Sequence, residues 1–156
     1  MIKVLFVCLG NICRSPMAEA VFRGKVRDSG LEGLIEVDSA GTGSWHVGEK
    51  PHAGTRKILR QKRIDDSGIE ARQVRKQDFS ESDYIIAMDS DNARDLIKLA
   101  GGLKTEHVSL LLDFLPESEF RDVPDPYYSG NFQIVYELID RSCDHLLQYI
   151  REREQI

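Results

Sequence analysis

The sequence has few cysteines and no long apolar runs, and both shortages exclude classes of protein. Only 3 of its 156 residues are cysteines, and such a low, odd number in an otherwise ordinary composition indicates a reducing compartment. No apolar stretch approaches the length of a membrane span, and the N-terminal apolar run is too short for a signal peptide. We therefore expect a cytoplasmic protein that does not bind a membrane, while the sequence leaves non-classical secretion open.

Excess positive charge and metal-ligand clusters are also missing. The formal net charge is −5, which argues against a dedicated nucleic-acid binder. Cys8 and Cys13 have no second cysteine or histidine pair at ligand spacing, so we expect no metal and no cofactor. The chain is long enough to bury a normal core, and we expect one domain over 1–156 and a monomer.

The chain does contain one stretch with a strong local signal, VCLGNICRSP at 7–16. It overlaps the end of an apolar run at 2–7, which is typical of a buried strand. Ser15 as N-cap and Pro16 as first helical residue predict that a helix begins directly after the stretch. The stretch is therefore predicted to be a strand–loop–helix turn.

This turn places Cys8 at its entrance and Arg14 at its exit. Backbone N–H groups of such a loop converge and bind anions, and the helix dipole adds partial positive charge. Arg14 contributes a planar fork of donors that matches two phosphate oxygens. A cysteine that faces the same groups ionises more readily than a free thiol. The other predicted phosphate-binding residues are Leu9, Gly10, Asn11, Ile12, Cys13 and Ser15.

These motifs resemble those of a known family. Cys-x5-Arg-Ser after a strand is similar to the phosphate-binding signature of protein tyrosine phosphatases, but the short pattern recurs by chance. The longer string VCLGNICRSPMAEA is specific and resembles the low-molecular-weight, bacterial branch of that family. The resemblance covers essentially the whole chain. It implies a hydrolase that dephosphorylates phosphotyrosine proteins without a metal and that binds inorganic phosphate or other oxyanions.

The resemblance also assigns roles to residues. It implies that Cys8 is the nucleophile, which forms a phosphocysteine, and that Arg14 binds the phosphate and the transition state. Asn11 is expected to shape the loop through side-chain hydrogen bonds, with Ser39 as a supporting partner. The Ser15 hydroxyl is expected to point towards the Cys8 sulfur; a helix cap is the alternative role, and both can hold.

Three further positions leave questions open. Some mammalian members have a histidine near the position of Ile69, and isoleucine cannot replace it, so the sequence does not show how the loop is braced. Cys13 is either a small buried residue or the partner that traps an oxidised Cys8 as a disulfide. Cys143, on the apolar side of the last helix, is expected in the core.

The order of the elements predicts an α/β fold. Strands are predicted at 2–7, 34–40, 84–88 and 107–112, with helices between them and a final helix from 132. Such alternation indicates a parallel sheet with helices on both faces, which binds ligands at the carboxyl ends of its strands. We predict a flavodoxin- or Rossmann-like three-layer sandwich, and the resemblance implies a four-stranded sheet with the first strand central.

Two details of this assignment concern the second half of the chain. Ser90 is predicted to cap a helix that ends at Gly101. Its predicted buried face consists of Ala93, Leu96, Ile97 and Ala100. The segment 113–131 is predicted to be a long loop, and long loops in compact domains are often functional.

This long loop contains the candidate general acid. Pro124 and Pro126 bracket Asp125 and restrict its backbone. The leaving group of phosphotyrosine is a phenolate, whose conjugate acid has a pKa of about 10, so protonation by a positioned acid speeds its departure. In the resembled family, Asp-Pro-Tyr-Tyr at this distance along the chain carries that acid. We therefore expect Asp125 to act as the general acid and then as the base.

Large aromatic residues are expected to form the substrate pocket. Trp45, Tyr127 and Tyr128 are the close cluster of large aromatics in the predicted active-site loops, and their rings suit a deep slot for a phenyl group. A deep slot favours phosphotyrosine, because phosphoserine would not reach the nucleophile. Core packing of Tyr128 and a loop-covering role of Trp45 are the alternatives.

Three other functions remain to be weighed. Arsenate reductases on the same fold need further cysteines downstream, which this chain lacks near 84–94. Protein arginine phosphatases resemble this chain but have a threonine at the position of Ile12, where an apolar side chain narrows the pocket around a phenyl ring instead. An inactive phosphotyrosine-binding module would be expected to have lost Cys8 or Asp125. Phosphotyrosine hydrolysis is the favoured prediction.

Overall fold

A four-stranded parallel sheet forms the centre of the molecule. The computed structural model describes all residues, Met1–Ile156. The strands are β1 (Ile2–Cys8), β2 (Ile35–Gly41), β3 (Tyr84–Ala87) and β4 (Val108–Leu110). Their spatial order is β2-β1-β3-β4, and every neighbouring pair is parallel. The predicted four-stranded parallel sheet with a central first strand is thus confirmed.

Helices cover both faces of this sheet. They are α1 (Arg14–Asp28), α2 (Ala53–Gln61), α3 (Lys76–Glu81), α4 (Ser90–Ala100), α5 (Pro126–Ser129) and α6 (Phe132–Glu154), with a 3₁₀ turn at Leu111–Phe114. Helices α1, α2 and α6 pack together on one face, while α3 and α4 pack on the other. The predicted three-layer sandwich is confirmed. No helix combines the length and apolar character needed to cross a membrane.

Strand β1 is central because its side chains are apolar on both faces. Val4 and Phe6 contribute to the core beneath α1 and α6, whereas Leu5 and Val7 contribute to the core beneath α4, and all four are fully buried. Alternate side chains of a strand point to opposite faces, so a strand that is apolar throughout has to be covered on both sides. This arrangement fixes the position of the loop that follows β1.

Two helix starts differ from the sequence prediction. Helix α1 begins at Arg14 with Cys13 as its N-cap residue, so the prediction that Ser15 caps it is wrong. Helix α4 is capped by the side chain of Asp89, which accepts the Asn92 N–H, and the assignment of the cap to Ser90 is also wrong. An aspartate directly before the predicted cap competes with the serine, because both residue types are strong N-caps.

The second half of the chain differs in three further details. Strand β4 has 3 residues rather than the longer run predicted, because the chain turns into the 3₁₀ helix. Ile97 is exposed, and the buried residues of α4 are Asn92, Leu96 and Ala100. The predicted loop at 113–131 contains the short helix α5. Cys143 is fully buried in the core, as predicted.

Candidate active site

The loop between β1 and α1 forms the floor of a cavity at the carboxyl ends of the strands. This cavity has a volume of about 220 Å³. Its lining brings together, from three separate parts of the sequence, Cys8, Leu9, Gly10, Ile12, Cys13, Arg14, Trp45, His46, Asp125, Tyr127 and Tyr128. All of these except His46 were singled out from the sequence.

A larger depression of about 510 Å³ lies elsewhere, at the amino ends of β3 and β4. Its lining includes Tyr84, His107 and Tyr149 but no cysteine. Parallel sheets bind their ligands at the carboxyl ends of the strands, where the smaller cavity lies. The convergence of a thiol, a guanidinium and a carboxyl identifies the smaller cavity as the candidate active site.

The loop at 9–13 presents a run of unused hydrogen-bond donors. None of its five backbone N–H groups donates to an acceptor of the protein, although Asn11, Ile12 and Cys13 are buried. Buried N–H groups are rarely left without a partner in folded proteins. Five such donors in one turn, directly before the N-terminus of α1, form a binding site for an oxyanion.

Cys8 lies beneath this turn and contacts Ser15. The thiol is only 3% exposed, and its Sγ lies 3.0 Å from Ser15 Oγ. Ser15 Oγ in turn accepts a hydrogen bond of 2.8 Å from Asn11 Nδ2. The hydroxyl of Ser15 therefore contacts the Cys8 sulfur and does not cap helix α1.

Asn11 holds the shape of the loop. Its backbone is in the left-handed region, with φ 56°, which asparagine tolerates better than most residues. Its Nδ2 also donates to Ser39 Oγ at 2.9 Å, and its Oδ1 accepts the backbone N–H of Arg72 at 2.9 Å. Both ends of the amide are thus used. Ser39 is thus a hydrogen-bond partner of Asn11, as the sequence analysis expected.

Arg72 is a supporting residue that sequence reasoning missed. Its guanidinium donates to both oxygens of Asp78 at 3.0 Å and to Asp38 Oδ2 at 2.9 Å. Burial alone would raise the pKa of Asp78, but hydrogen bonds from Arg72 and from the Arg75 backbone outweigh it and lower that pKa. The fixed guanidinium anchors the backbone that braces Asn11, while Ile69 packs into the core. This arrangement shows how the loop is held without a histidine at that position.

Arg14 is buried and oriented by acceptors on two loops. Its Nη1 donates to Asp89 Oδ2 at 2.7 Å and to the carbonyl of Val123 at 2.9 Å. Its Nη2 lies 3.6 Å from Asp125 Oδ2. Burial opposes the charge of Arg14, but Cys8, Asp89 and Asp125 outweigh it and raise the pKa of Arg14. A permanently charged guanidinium therefore faces the turn.

Asp125 occupies the N-cap of α5. Its Oδ1 accepts the Tyr127 N–H at 3.0 Å, and its side chain is 26% exposed at the edge of the cavity. The preceding segment is tied to the sheet, because the Val123 N–H donates to the Met88 carbonyl at 2.9 Å. The carboxyl is thus held beside Arg14 by backbone contacts on either side of it.

Aromatic side chains stand around the entrance. Trp45 is 70% exposed and Tyr128 is 79% exposed, so neither packs into the core. Tyr127 contacts Tyr128 edge to face, with 5.3 Å between ring centroids. Its ring centroid is 6.4 Å from that of His46 and 5.9 Å from that of His52. The rings form walls above the buried sulfur.

His46 is a lining residue that the sequence did not suggest. Its ring lies against Gly10, where an added Cβ would come within 3.1 Å of the His46 Cδ2 atom. The Nδ1 atom is hydrogen-bonded to Glu49 at 2.8 Å. Its position directly after Trp45 was the available signal.

The remaining cysteine of the loop is a protonated thiol. Cys13 is 4% exposed, and burial together with the nearby Cys8 and Asp125 raises its pKa to about 12. All three cysteines are free. Cys13 therefore does not compete with Cys8 as a nucleophile, and a disulfide between the two stays a prediction.

A thiol, a turn of free N–H groups, a buried arginine and a carboxyl that line one cavity define a cysteine-dependent phosphatase. The sequence profile described as "Low molecular weight phosphotyrosine protein phosphatase" matches residues 3–156. The chain therefore belongs to the low molecular weight phosphotyrosine protein phosphatase family. The predicted family and enzyme class, a cysteine-type phosphoric monoester hydrolase, are confirmed.

Individual relatives agree with this assignment. The chain is 54% identical over 156 residues to the low molecular weight protein-tyrosine-phosphatase YfkJ of Bacillus subtilis, covering 100% of both chains. The crystal structure of YfkJ superposes with a TM-score of 0.96, over 98% of this chain and 96% of that one. The PtpA phosphatase of Staphylococcus aureus is 46% identical over 96% of this chain and 94% of its own length. The structure of a Drosophila arginine phosphatase has a TM-score of 0.88 at 37% identity, over 96% of this chain and 98% of that one.

Proposed function

We propose that this phosphatase hydrolyses phosphotyrosine in proteins, with Cys8 as nucleophile, Arg14 as phosphate ligand and Asp125 as general acid and base. The observation that carries the proposal is the turn at 9–13, whose five backbone N–H groups are free and which lines the same cavity as Cys8. Together with the Arg14 fork they supply donors for the three equatorial oxygens as charge spreads over them in the transition state.

In the first step, the Cys8 thiolate attacks phosphorus in line with the leaving oxygen. An S–P bond forms while the bond from phosphorus to the phenolic oxygen breaks, which gives a phosphocysteine. Protonated Asp125 donates its proton to the leaving oxygen, so that tyrosine departs as a neutral phenol. Asp125 lines the same cavity as Cys8 and lies beside Arg14, which supports this role.

In the second step, the Asp125 carboxylate accepts a proton from a water molecule that attacks phosphorus. The S–P bond breaks, and its electron pair returns to the Cys8 sulfur. Because Ser15 Oγ lies 3.0 Å from that sulfur, its hydroxyl stabilises the departing thiolate. Inorganic phosphate then leaves the turn.

The shape of the cavity supports a phenyl substrate. The sulfur lies at the floor, beneath the exposed rings of Trp45, Tyr127 and Tyr128. We expect a phosphotyrosine side chain to reach the sulfur and the shorter side chain of phosphoserine not to reach it. Ile12, which is 7% exposed, contributes an apolar surface to the lining of the cavity.

Phosphoarginine is the second candidate substrate. One solved structure similar to this chain is described as an arginine phosphatase, so the fold is compatible with that chemistry too. Ile12 offers no hydroxyl to a guanidinium substrate, which favours phosphotyrosine. Arsenate reduction is not favoured, because Cys143 is fully buried in α6 and the segment 84–94 contains no cysteine.

A direct comparison of substrates tests the proposal. Turnover of a phosphotyrosine peptide and of a phosphoarginine peptide is measured with wild type and Cys8→Ser, in the presence of a chelator. We expect rapid phosphotyrosine hydrolysis that the substitution abolishes. Preference for phosphoarginine would show that Ile12 was misinterpreted, and tight phosphopeptide binding without turnover would refute the catalytic proposal.

The predicted single domain, monomeric state and cytoplasmic location stay predictions. Sedimentation of the purified chain tests the monomer, and fractionation of cells that express it tests the location. Membership of the family implies that its substrates are phosphoproteins and that phosphate-type anions bind its site.

A further inference from the structure

Glu19 is a buried carboxyl that the reaction above does not use. It lies on the inner side of α1, and its side chain is only 10% exposed. The Nη1 atom of Arg23 is 3.9 Å away, and the same guanidinium also donates to the carbonyls of Asp65 and Ser67. The hydrogen-bond partner of Glu19 is instead Ser39, whose Oγ lies 2.6 Å from Oε1.

The direction of this hydrogen bond follows from the neighbouring contacts. The backbone N–H of Arg72 donates to Asn11 Oδ1, so the Asn11 amide must present its Nδ2 hydrogens on the other side. One of these hydrogens goes to Ser39 Oγ. The single hydrogen of the Ser39 hydroxyl is then left for Glu19.

The direction of the Ser15 hydrogen bond also follows from its neighbours. Its oxygen accepts the other Nδ2 hydrogen of Asn11, so its own hydrogen points to an acceptor. The Cys8 sulfur lies at 3.0 Å, while the carbonyl of Ala40 is more distant at 3.5 Å. A continuous series of hydrogen bonds thus runs from the Glu19 carboxyl to the Cys8 sulfur.

We propose that Glu19 is a positioning residue for catalysis, because its carboxylate accepts a hydrogen bond from the Ser39 hydroxyl. This hydrogen bond holds Asn11 and Ser15 in the arrangement in which the Ser15 hydroxyl donates to the Cys8 sulfur. The inference rests on the proposed phosphatase mechanism. Since Ser15 acts on the sulfur when the S–P bond breaks, Glu19 affects the turnover of the phosphocysteine more than the binding of substrate.

Ionisation of Glu19 changes this arrangement. A protonated Glu19 carboxyl can donate a hydrogen bond to Ser39 Oγ. That oxygen then accepts hydrogen bonds from both Glu19 and Asn11, so the hydroxyl hydrogen of Ser39 has to point away from both. The charged groups around Glu19 are Arg23 on its own helix, Asp38 on β2 and Arg72 beyond α2. Burial raises the pKa of Glu19 to about 7, although the Ser39 hydrogen bond acts in the opposite direction. The ionised, positioning form therefore increases as the pH rises through neutrality.

Steady-state and burst kinetics with p-nitrophenyl phosphate between pH 5.5 and pH 8.5 test the inference. The variants are Glu19→Gln and Ser39→Ala, and the control is Glu36→Gln, an exposed glutamate on the strand that carries Ser39. At pH 8 we expect kcat of Glu19→Gln to fall roughly tenfold with KM within about twofold, since one charge-assisted hydrogen bond is weakened. The burst of p-nitrophenol should remain, because formation of the phosphocysteine is less affected.

The pH profile separates positioning from a general loss of structure. In wild type and Glu36→Gln, kcat should contain an ionisation near 7 that Glu19→Gln lacks. Unchanged kcat and an unchanged profile in Glu19→Gln would overturn the inference, as would an equal loss in Glu36→Gln. Failure of the phosphatase proposal itself is distinguishable, because wild type would then show neither a burst nor turnover.

Discussion

At the scale of single residues, Asn11 shows what a sequence can and cannot supply. The motif around Cys8 singled out Asn11 and Ser39, and the structure joins them at 2.9 Å. The third contact of Asn11 comes from the backbone of Arg72, 61 positions away. A backbone N–H has no residue-type signature, so no pattern in the sequence could have assigned this contact.

Asp125 is the residue whose role can be tested most directly. Asp125→Asn removes the transferable proton, so we expect kcat for phosphotyrosine peptides to fall by about 10²–10⁴-fold. The loss should be much smaller for p-nitrophenyl phosphate, whose leaving group departs without help. Stopped-flow measurement of both substrates checks this. Glu119→Gln, at an exposed position of the same loop, should retain activity; equal losses for both substrates would contradict the role of Asp125 as an acid.

At the scale of elements, the predicted strand boundaries agree with the structure more closely than the predicted helix starts do. Apolar runs decide where strands form, and β1 was predicted to within one residue. Helix caps depend on which side chain reaches the free N–H groups. Ser15 is engaged by Cys8 and Asn11, and Asp89 caps α4 one residue before Ser90 while also binding Arg14. Residue type alone could not resolve this competition.

The segment between α2 and α3 depends on the Arg72 ion pairs. Its backbone extends the edge of β2, because Gly41 N–H donates to the Arg72 carbonyl at 2.8 Å. Arg72→Met leaves the fully buried Asp78 without its fork of donors, and we expect about 3 kcal/mol of lost unfolding free energy. Urea unfolding measures this loss. Arg72→Lys keeps the charge but not the paired contacts, so its free energy of unfolding should lie between those of wild type and Arg72→Met. An Arg72→Met variant as stable as wild type would show that the ion pairs contribute little.

At the scale of the whole molecule, the fold brings functional side chains that are distant in sequence to one edge of the sheet. Parallel strands place every β-to-α loop on the same side, so the turn after β1 and the loop after β3 meet there. The chain then passes through β4 and returns, and the Val123 contacts with Met88 and Arg14 deliver Asp125 to the cavity. The alternation of elements predicted this edge, but not the path of the returning loop.

The stability of the whole molecule should depend on pH through Glu19. Its pKa is about 7 in the folded chain, against an ordinary value of 4.5, so the folded state binds the proton more tightly. The free energy of unfolding should therefore fall as the pH rises from about 4.5 to 7 and stay level above that. At pH 8, Glu19→Gln should be more stable than wild type by on the order of 3 kcal/mol, while at pH 4 the two should be similar. Urea unfolding at both pH values checks this, and identical pH dependence in the two proteins would refute it.

The sequence by itself determined the sheet, the phosphate-binding turn and the identity of Cys8, Arg14 and Asp125 as candidate catalytic groups, because periodicity and short motifs are local properties of the chain. Only the tertiary structure decided how the turn is braced. Glu19, Ser39, Asn11 and the Arg72 backbone come from a helix, a strand and two loops, and their hydrogen bonds depend on distances of a few ångströms. Such distances are set by the packing of α1 against β2, which no local pattern encodes.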